Sequence, residues 1–347
     1  MPQRGESCNP RDPGPAFAPP HGMIDRDGRA ALPALAGQRD LDDPLPLPLP
    51  VLRHPEPSAR PELPTAAWLE VIDQLADRLP RGTPTIFAGG EPFARRDILT
   101  LAERALARGL SVNLATIGYY LEGATPNRLR DLPVVLSISL HGYRRTHDRL
   151  TRAPGLFARV MNAMDVLAAG SRVSLYTATV ITGANLAEVT PLARYLLDQE
   201  VVHSIYYQAQ VENLAAPARP GWHLDHPAWA RDADRAARVL DELIAMKNAG
   251  ARIANSVEQF TYWKEYFRDP DGSRNHLSCT VGEHNLTILP DGQIKLCDLR
   301  APLGNVADAP VRAVWEGADA RAARRAMRDC RIPCNYFVNC VREDRKP

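Results

Sequence analysis

The sequence predicts an α/β fold: a partial (β/α) barrel with a parallel sheet, followed by a small C-terminal cysteine-rich cluster domain. Two observations predict it. Between Thr65 and about residue 250, short apolar strands alternate with amphipathic helices, as in βα units built around a parallel sheet. Further along, five of the chain's six cysteines fall in the last seventy residues, at spacings that suit a metal cluster.

The composition is that of a soluble globular protein of 347 residues, long enough for one large domain and a smaller one. Hydrophobic residues make up 45%, charged residues 24%, and the net charge is +1. This balance gives no electrostatic reason to expect nucleic acid or an anionic membrane as a partner. No apolar run approaches the roughly eighteen residues of a membrane span, and the N-terminus has no apolar signal segment. A cytoplasmic location is therefore expected.

Residues 1–64 differ from the rest, because they hold 15 of the 31 prolines. Prolines at that density remove backbone donors and oppose regular helices and central strands. Polyproline II or disorder is expected there, without a first barrel strand. A second interpretation is a non-native start, since the patternless Pro/Arg/Ala/Gly-rich composition resembles out-of-frame translation. The predicted domains are 1–64, 65–250 and 251–347.

The elements of the middle region follow from hydrophobic periodicity. Thr65 is a suitable N-cap for a first helix, whose inner face would carry Trp68, Val71, Ile72 and Leu75. The predicted strands are 85–88, 111–116, 134–140, 173–181 and 202–208, and the predicted helices are 96–108, 157–169, 186–199 and 227–248.

The last hundred residues predict a β-hairpin and two short helices. Residues 286–296 alternate apolar and polar around Pro290-Asp291-Gly292, with glycine where the turn needs a positive φ. The hairpin would return Cys297 towards Cys279, which accounts for the spacing of twelve residues, a glycine and four residues between them. Short helices are predicted at 311–315 and 320–328.

The tail cysteines leave three chemical interpretations. After Cys279 and Cys297 come Cys330, Cys334 and Cys340, separated by three and five residues. Disulfides would require an oxidising compartment, for which there is no secretory signal. Zinc competes, since the pair separated by three residues is loosely zinc-like. An iron–sulfur cluster, held by four thiolates on short arcs of chain, is favoured over zinc and over unrelated structural cysteines.

A Gly-Gly-Glu-Pro motif follows the strand 85–88 directly. Two glycines let the backbone approach a ligand closely, and the glutamate can accept a hydrogen bond from an amine. The alternative is a tight βα turn with no ligand. Its place at the carboxyl end of a strand favours binding.

Residues 86–93, with this motif, resemble the second strand of radical S-adenosylmethionine (radical SAM) enzymes, where Gly-Gly-Glu-Pro lies beside the methionine amino group of the cofactor. The segments 115–118, 137–142 and 146–155 look like that family's third and fourth strand ends and the following loop. The tail resembles the SPASM/twitch auxiliary-cluster domain, with Ile294, Leu303-Gly304-Asn305 and Trp315 as its usual filler. The resemblance covers roughly residues 65–347.

The resemblance implies an enzyme of the radical SAM type that modifies a peptide or a small natural product. The implied cofactors are S-adenosylmethionine and one auxiliary 4Fe–4S cluster, and the implied partners are the substrate and an electron donor such as flavodoxin or ferredoxin. The implied cofactor-binding residues are Gly89, Gly90, Glu91, Pro92, Thr116 and Ser139. The implied cluster ligands are four of Cys279, Cys297, Cys330, Cys334 and Cys340.

One departure from the family bears on activity. Radical SAM enzymes hold the SAM-cleaving cluster with Cys-x3-Cys-x2-Cys after the first strand, whereas Cys8 is the one cysteine before Cys279. The chain as printed is therefore expected not to cleave SAM. Three interpretations stay open. The start is non-native; or the chain is a degenerate member that binds a substrate or partner, as a non-catalytic iron–sulfur or zinc protein; or the cluster is supplied by another chain or absent from a different chemistry.

Other side chains near strand ends are weaker candidates. His141 could face a substrate or be a satisfied turn histidine. His147 and Asp148 are predicted to be a capping pair rather than an acid–base pair, and a cap is also predicted at 225–226 before the long helix. Candidates for lining a substrate pocket, with core packing as the alternative, are Tyr206, Tyr207 and Gln208.

Overall fold

The computed structural model describes residues 61–168, 170–212, 217, 219–273 and 279–339, together with the backbone of residues 35–36. Most of the proline-rich stretch 1–64, Cys8 and Cys340 lie outside the described residues. No described helix is both long and apolar enough to cross a membrane.

A nine-stranded sheet organises the described chain, in the order β6-β5-β4-β3-β2-β1-β7-β8-β9. Strands β1 to β6 are parallel, and the short β7 to β9 form an antiparallel meander joined to β1. The strands are β1 Leu35–Ala36, β2 Pro84–Ala88, β3 Ser111–Thr116, β4 Val135–Ser139, β5 Ser174–Ile181, β6 Val202–Ala209, β7 Thr287–Ile288, β8 Gln293–Lys295 and β9 Gly304–Asn305.

The expectation that the first strand is missing is wrong. Strand β1 pairs in parallel with β2, with Leu35 opposite Phe87, and on its other side with Ile288 of β7. The proline average over residues 1–64 hides the local run 30–36, which is rich in Ala and Leu and holds a single proline. A local apolar run, rather than the regional composition, is what a short buried strand requires.

Helices follow most of the parallel strands. The described helices are α1 Thr65–Ala76, α2 Ile98–Ala107, α3 Thr125–Leu129, α4 Arg144–Thr151, α5 Leu156–Ala168, α6 Val189–Leu197, α7 Trp222–Asp225, α8 Ala233–Asn248, α9 Val257–Arg268, α10 Val281–His284, α11 Val311–Trp315, α12 Ala318–Arg328 and α13 Asn335–Asn339, with a 3₁₀ turn at Pro92–Ala94.

The inner face predicted for α1 is confirmed. Trp68, Val71, Ile72 and Leu75 recur at helical spacing and are at most 5% exposed. Each contributes about 1.5–3 kcal/mol of burial free energy. The predicted N-cap is wrong, because Pro64 occupies that position and the hydroxyl of Thr65 instead donates to Asp97 Oδ2 at 2.6 Å.

The cap predicted at Asp225 and His226 is also wrong. These residues end α7, and the long helix α8 begins later, at Ala233. Its N-cap is Asp232, whose carboxylate accepts from the backbone N–H of Arg235 at 2.8 Å. In such a cap, the aspartate side chain accepts a hydrogen bond from the backbone N–H three residues later.

The predicted hairpin is confirmed in β7 and β8, with Ile288 opposite Ile294. Gly292 has φ 86°, in the left-handed region. A Cβ there would lie 2.7 Å from Asn305 Oδ1 and 2.9 Å from Val306 Cγ2. Both the turn and the packing therefore require glycine.

Candidate functional site

Along one face of the parallel sheet, several side chains remain half-exposed, and most of them are small or polar. The strand register places these positions on the same face, while the alternating positions are buried under the helices. Carboxyl ends of parallel strands carry the ligand sites of α/β folds. The half-exposed residues are Ile86, Ala88, Ala115, Ser137, Ser139, Ala178 and Gln208.

The Gly-Gly-Glu-Pro loop lies at the carboxyl end of β2. Gly89 and Gly90 have φ of 85° and 53°, a conformation that costs little only for glycine. Pro92 begins the 3₁₀ turn that follows. The loop therefore presents its backbone, rather than side chains, beside the half-exposed face.

Glu91 joins the ends of β2 and β3. It is 3% exposed, and its carboxylate accepts from the backbone N–H of Phe93 at 3.1 Å and of Ile117 at 2.9 Å. The hydroxyl of Thr116 donates to both oxygens, at 2.7 and 2.9 Å, and accepts from the N–H of Gly118 at 2.8 Å. Both predicted ligand side chains are thus engaged in internal hydrogen bonds.

Burial raises the pKa of Glu91 from 4.5 to about 7, against the opposing effect of Thr116 and the two backbone donors. The carboxylate has few lone pairs left for an external amine. Its hydrogen bonds connect the loop after β2 to the end of β3. Ser139, the remaining predicted residue, is half-exposed at the end of β4.

The histidines after β4 are internal. His141 is 4% exposed and its Nδ1 accepts from the N–H of Val180 at 3.3 Å, while His147 Nδ1 accepts from the N–H of His141 at 3.2 Å. Burial lowers the pKa of His141 to about 3 and of His147 to about 4, so both are neutral. The structure therefore favours the satisfied-turn interpretation of His141.

Asp148 is the capping member of the predicted pair. Its carboxylate accepts from the backbone N–H groups of Gly155 at 2.7 Å and Phe157 at 2.9 Å, where α5 begins. Sequence reasoning missed Asn185, whose amide donates to the carbonyls of His141 and Val180 at 2.7 and 2.8 Å. The sequence did carry a signal for this role, because Asn185 stands in a loop with a glycine directly after a strand.

The three candidates at the end of β6 lie on opposite faces. Tyr206 shares the face of Ala178, and its hydroxyl donates to the carbonyl of Asn339 at 3.0 Å. Gln208 is half-exposed on that same face. Tyr207 is 1% exposed and stacks edge-on against Phe260 of α9, so it belongs to the core rather than to a pocket.

Among the described residues, the tail cysteines Cys279, Cys297, Cys330 and Cys334 form no disulfide. Burial, with a smaller contribution from the nearby Cys297 and Cys279, raises the pKa of Cys334 to about 12. Burial likewise raises the pKa of Cys297, with Cys279 and Cys330 among its charged neighbours. Within the described residues, no three His, Cys, Asp or Glu side chains converge closely enough to hold a single metal ion.

The donor set fits an iron–sulfur cluster. Backbone N–H groups already point at two of the sulfurs: that of Leu299 at Cys297, and those of Phe337 and Tyr336 at Cys334. Such N–H donors stabilise thiolate ligands and contribute to a cluster's reduction potential. The sequence has no comparable set of thiol ligands for the SAM-cleaving cluster, because it contains no Cys-x3-Cys-x2-Cys motif.

A cleft of about 400 Å³ lies elsewhere, on the helical side of the sheet. It is bounded by α3 and α5 and lined in part by Pro126, Asn162 and Val166. None of the predicted site residues lines it.

Comparison with sequence families matches both regions. Residues 51–196 match the radical SAM superfamily, and residues 279–340 match the SPASM iron–sulfur cluster-binding domain. A PqqA peptide cyclase of Methylocella silvestris is 27% identical over 303 residues, covering 82% of this chain and 73% of that protein. An AdoMet-dependent heme synthase of Methanosarcina barkeri is 34% identical over 132 residues, covering 37% of each.

Solved structures confirm the predicted fold class. Streptococcus suis SuiB bound to the precursor peptide SuiA superposes with a TM-score of 0.64 at 13% identity, covering 90% of this chain and 71% of that one. The enzyme anSMEcpe with bound AdoMet gives 0.61 at 14% identity, covering 89% and 88%. The domain matches also confirm the expected cofactor classes, an iron–sulfur cluster and S-adenosylmethionine. The chain therefore carries a radical SAM domain over residues 51–196 and a C-terminal SPASM domain over residues 279–340.

Proposed function

We propose that the chain binds a peptide at the half-exposed face of its parallel sheet and holds one auxiliary 4Fe–4S cluster beside the carboxyl end of β6. The observation that carries the proposal is the packing of the cysteine-bearing tail against that strand end, where Tyr206 meets Asn339. The similarity to PqqA peptide cyclases, and to the fold of SuiB with its precursor peptide, supports a peptide as substrate class.

The cluster ligands we propose are Cys279, Cys297 and Cys330 with either Cys334 or Cys340. Five cysteines exceed the roughly four that one cluster needs and fall short of the about eight of two fully ligated clusters. Binding would deprotonate the thiols, so the buried site gains its anionic form together with the iron. An electron donor such as flavodoxin or ferredoxin would reduce the cluster.

For S-adenosylmethionine, we propose that the backbone of Gly89 and Gly90 meets the amino group while Glu91 holds the loop in place. The positive φ values of the two glycines support this assignment. No cleavage step follows, because three thiolates are needed for the cleaving cluster and Cys8 is the one cysteine outside the tail. The printed chain is therefore proposed to bind a peptide without initiating radical chemistry.

Anaerobic reconstitution tests the cluster. Iron and sulfide assays should give about four of each per chain, and one tight zinc without iron would instead support the zinc alternative. Under dithionite, S-adenosylmethionine should yield no 5′-deoxyadenosine above background. Its formation would show that Cys8 or another chain holds a cleaving cluster.

Peptide binding is tested separately with fluorescently labelled PqqA and SuiA peptides. Anisotropy should rise with the cluster-loaded protein and be reduced by Gln208→Lys, which adds bulk and charge to the half-exposed face. A control variant on the outer cleft, Asn162→Lys, should bind like the wild type. Equal losses of binding in the two variants would contradict the proposed binding face. No binding of either peptide to the wild type would contradict a peptide as the substrate class.

A further inference from the structure

The outer edge of β6 is covered by side chains where a neighbouring strand would otherwise pair. Among the described strands, β6 ends the sheet. Its first half is paired by backbone: the N–H of Ile205 donates to the carbonyl of Arg252 at 2.9 Å, and the N–H of Ala254 donates to the carbonyl of Ile205 at 2.8 Å. The backbone partner stops there, two residues before Tyr207.

Two asparagines continue this edge. The N–H of Tyr207 donates to Asn255 Oδ1 at 2.7 Å, and Asn255 Nδ2 donates to the carbonyl of Tyr207 at 3.0 Å. The N–H of Ala209 donates to Asn339 Oδ1 at 2.7 Å, and Asn339 Nδ2 donates to the carbonyl of Ala209 at 3.2 Å. A side-chain amide carries the same donor and acceptor as a peptide unit, so each asparagine replaces one residue of a missing strand.

The two asparagines differ in what they hold. Asn255 is 0% exposed and lies just before α9, where its amide also donates to Gln259 Oε1 at 2.7 Å. Asn339 is 1% exposed and ends α13, five residues after Cys334. One amide therefore fastens a helix of the core, and the other fastens the segment that carries a cysteine of the tail.

The segment before Asn339 is held at several further points. The carbonyl of Asn339 accepts from Gln259 Nε2 at 2.7 Å as well as from Tyr206, and the carbonyl of Val338 accepts from Trp263 Nε1 at 2.6 Å. Within the segment, the N–H of Val338 donates to the carbonyl of Cys334 at 2.8 Å. A chain of short hydrogen bonds thus connects β6 to the cysteine turn.

We propose that Asn339 is a positioning residue for the auxiliary cluster. Its amide, paired with Ala209 on the edge of β6, sets where the turn from Cys334 to Asn339 lies relative to the half-exposed face. The same strand presents Gln208 to that face, so a displacement of the strand end would move the cysteine turn with it. This inference rests on the proposed function only in assigning the tail cysteines to a cluster.

The test compares Asn339→Asp with a matched control, Asn185→Asp. Asn185 is 1% exposed, and its Nδ2 donates to the backbone carbonyls of His141 and Val180, away from the cysteine turn. Each substitution removes a buried Nδ2 donor and places a carboxylate against a backbone carbonyl. In iron-free protein, Asn339→Asp should raise the rate at which iodoacetamide alkylates Cys334, followed by mass spectrometry, at least tenfold. Asn185→Asp should change that rate by less than twofold. Equal rates in the two variants would overturn the proposal.

Cluster retention gives a second measurement. After reconstitution, Asn339→Asp should lose iron to a chelator at least fivefold faster than wild type, and Asn185→Asp should not. If Asn339→Asp fails to fold, Tyr206→Phe is tested in its place, since it removes the hydrogen bond to the carbonyl of Asn339 and leaves no cavity. It should raise Cys334 alkylation in the same direction by a smaller factor, and an unchanged rate would contradict the inference. A wild type without iron would refute the cluster but leave the alkylation comparison valid.

Discussion

Replacing Glu91 with glutamine should change both the stability of the protein and its pH dependence. The carboxylate accepts from Phe93, Ile117 and Thr116. A glutamine amide offers one oxygen and one NH₂, so at least one of the two backbone N–H groups would face a donor. A buried donor without an acceptor costs about 1–3 kcal/mol, and this is the loss expected at pH 5.

The pH dependence follows from the raised pKa of Glu91. Because the folded state holds this proton up to about pH 7, against 4.5 for the ordinary carboxyl, its stabilising contribution is complete below pH 4.5 and is lost as the pH rises through 7. The loss between pH 5 and pH 8 is roughly 2–3 kcal/mol. The glutamine variant does not titrate, so its deficit against wild type should shrink by that amount over the same range.

Urea unfolding at pH 5, 6, 7 and 8, followed by tryptophan fluorescence, measures the difference between the two proteins. The lowered pKa values of His141 and His147 affect both proteins alike and cancel in that difference. Glu188→Gln is the control for the substitution itself, since Glu188 accepts from the N–H of Tyr143 at 2.7 Å but is half-exposed. A deficit that stays constant from pH 5 to pH 8 would refute the argument that burial outweighs the three donors.

Three further substitutions test other parts of the site and fold. Gly90→Val should abolish the binding of S-adenosylmethionine measured by calorimetry. The control Gly123→Val, at a similar φ of 59° but with open space around the glycine, should leave that binding intact. Equal losses of binding in the two variants would count against the glycine loop. Cys297→Ser should lose most of the iron and Cys8→Ser none, and the reverse would invert the ligand assignment. Trp68→Ala should lower the free energy of unfolding by about 3–5 kcal/mol in denaturant titrations, and a loss below about 1 kcal/mol would contradict its place in the core.

Elements with a regular apolar period were predictable from the sequence, and elements held by distant polar partners were not. Strand 111–116 is found as predicted, and α5 is shifted by one residue. Helix α4 has no apolar stripe: it buries Thr146 and His147, and the carboxylate of Glu188 accepts from Thr146 Oγ1 at 2.6 Å. Such a partner, 42 residues away in sequence, leaves no local signal.

One missed helix did have a local signal. Helix α9 begins after Ser256, whose side chain accepts from the N–H of Gln259 at 3.0 Å. Ser-x-x-Gln before an aromatic run is a capping-box pattern, and it was present in the sequence.

The sequence predicted which residues lie in the candidate site better than it predicted what each side chain does there. Gly89 and Gly90 lie at the carboxyl end of β2 and Ser139 at that of β4, as the predicted strands place them, while their role toward a cofactor stays a prediction. Glu91 was predicted as a ligand because a carboxylate can accept a hydrogen bond from an amine. In the structure, its oxygens instead accept from Thr116 and Ile117, which lie 25 and 26 positions later in the sequence. Whether a polar side chain has free lone pairs depends on tertiary contacts that spacing alone does not reveal.

The C-terminal domain covers both edges of the parallel sheet. At one edge, Ile288 of β7 pairs with Leu35 of β1; at the other, Asn339 pairs with Ala209 of β6. Unpaired strand edges are costly when buried and invite association when exposed. A fragment ending near residue 250, the predicted end of the core domain, would lose both covers and the backbone partner of Ile205. We therefore expect the fragment 1–250, which keeps β1, to aggregate or to exchange its β6 amides rapidly in hydrogen-exchange measurements. A soluble fragment with protected β6 amides would show that the core closes its edges without the tail.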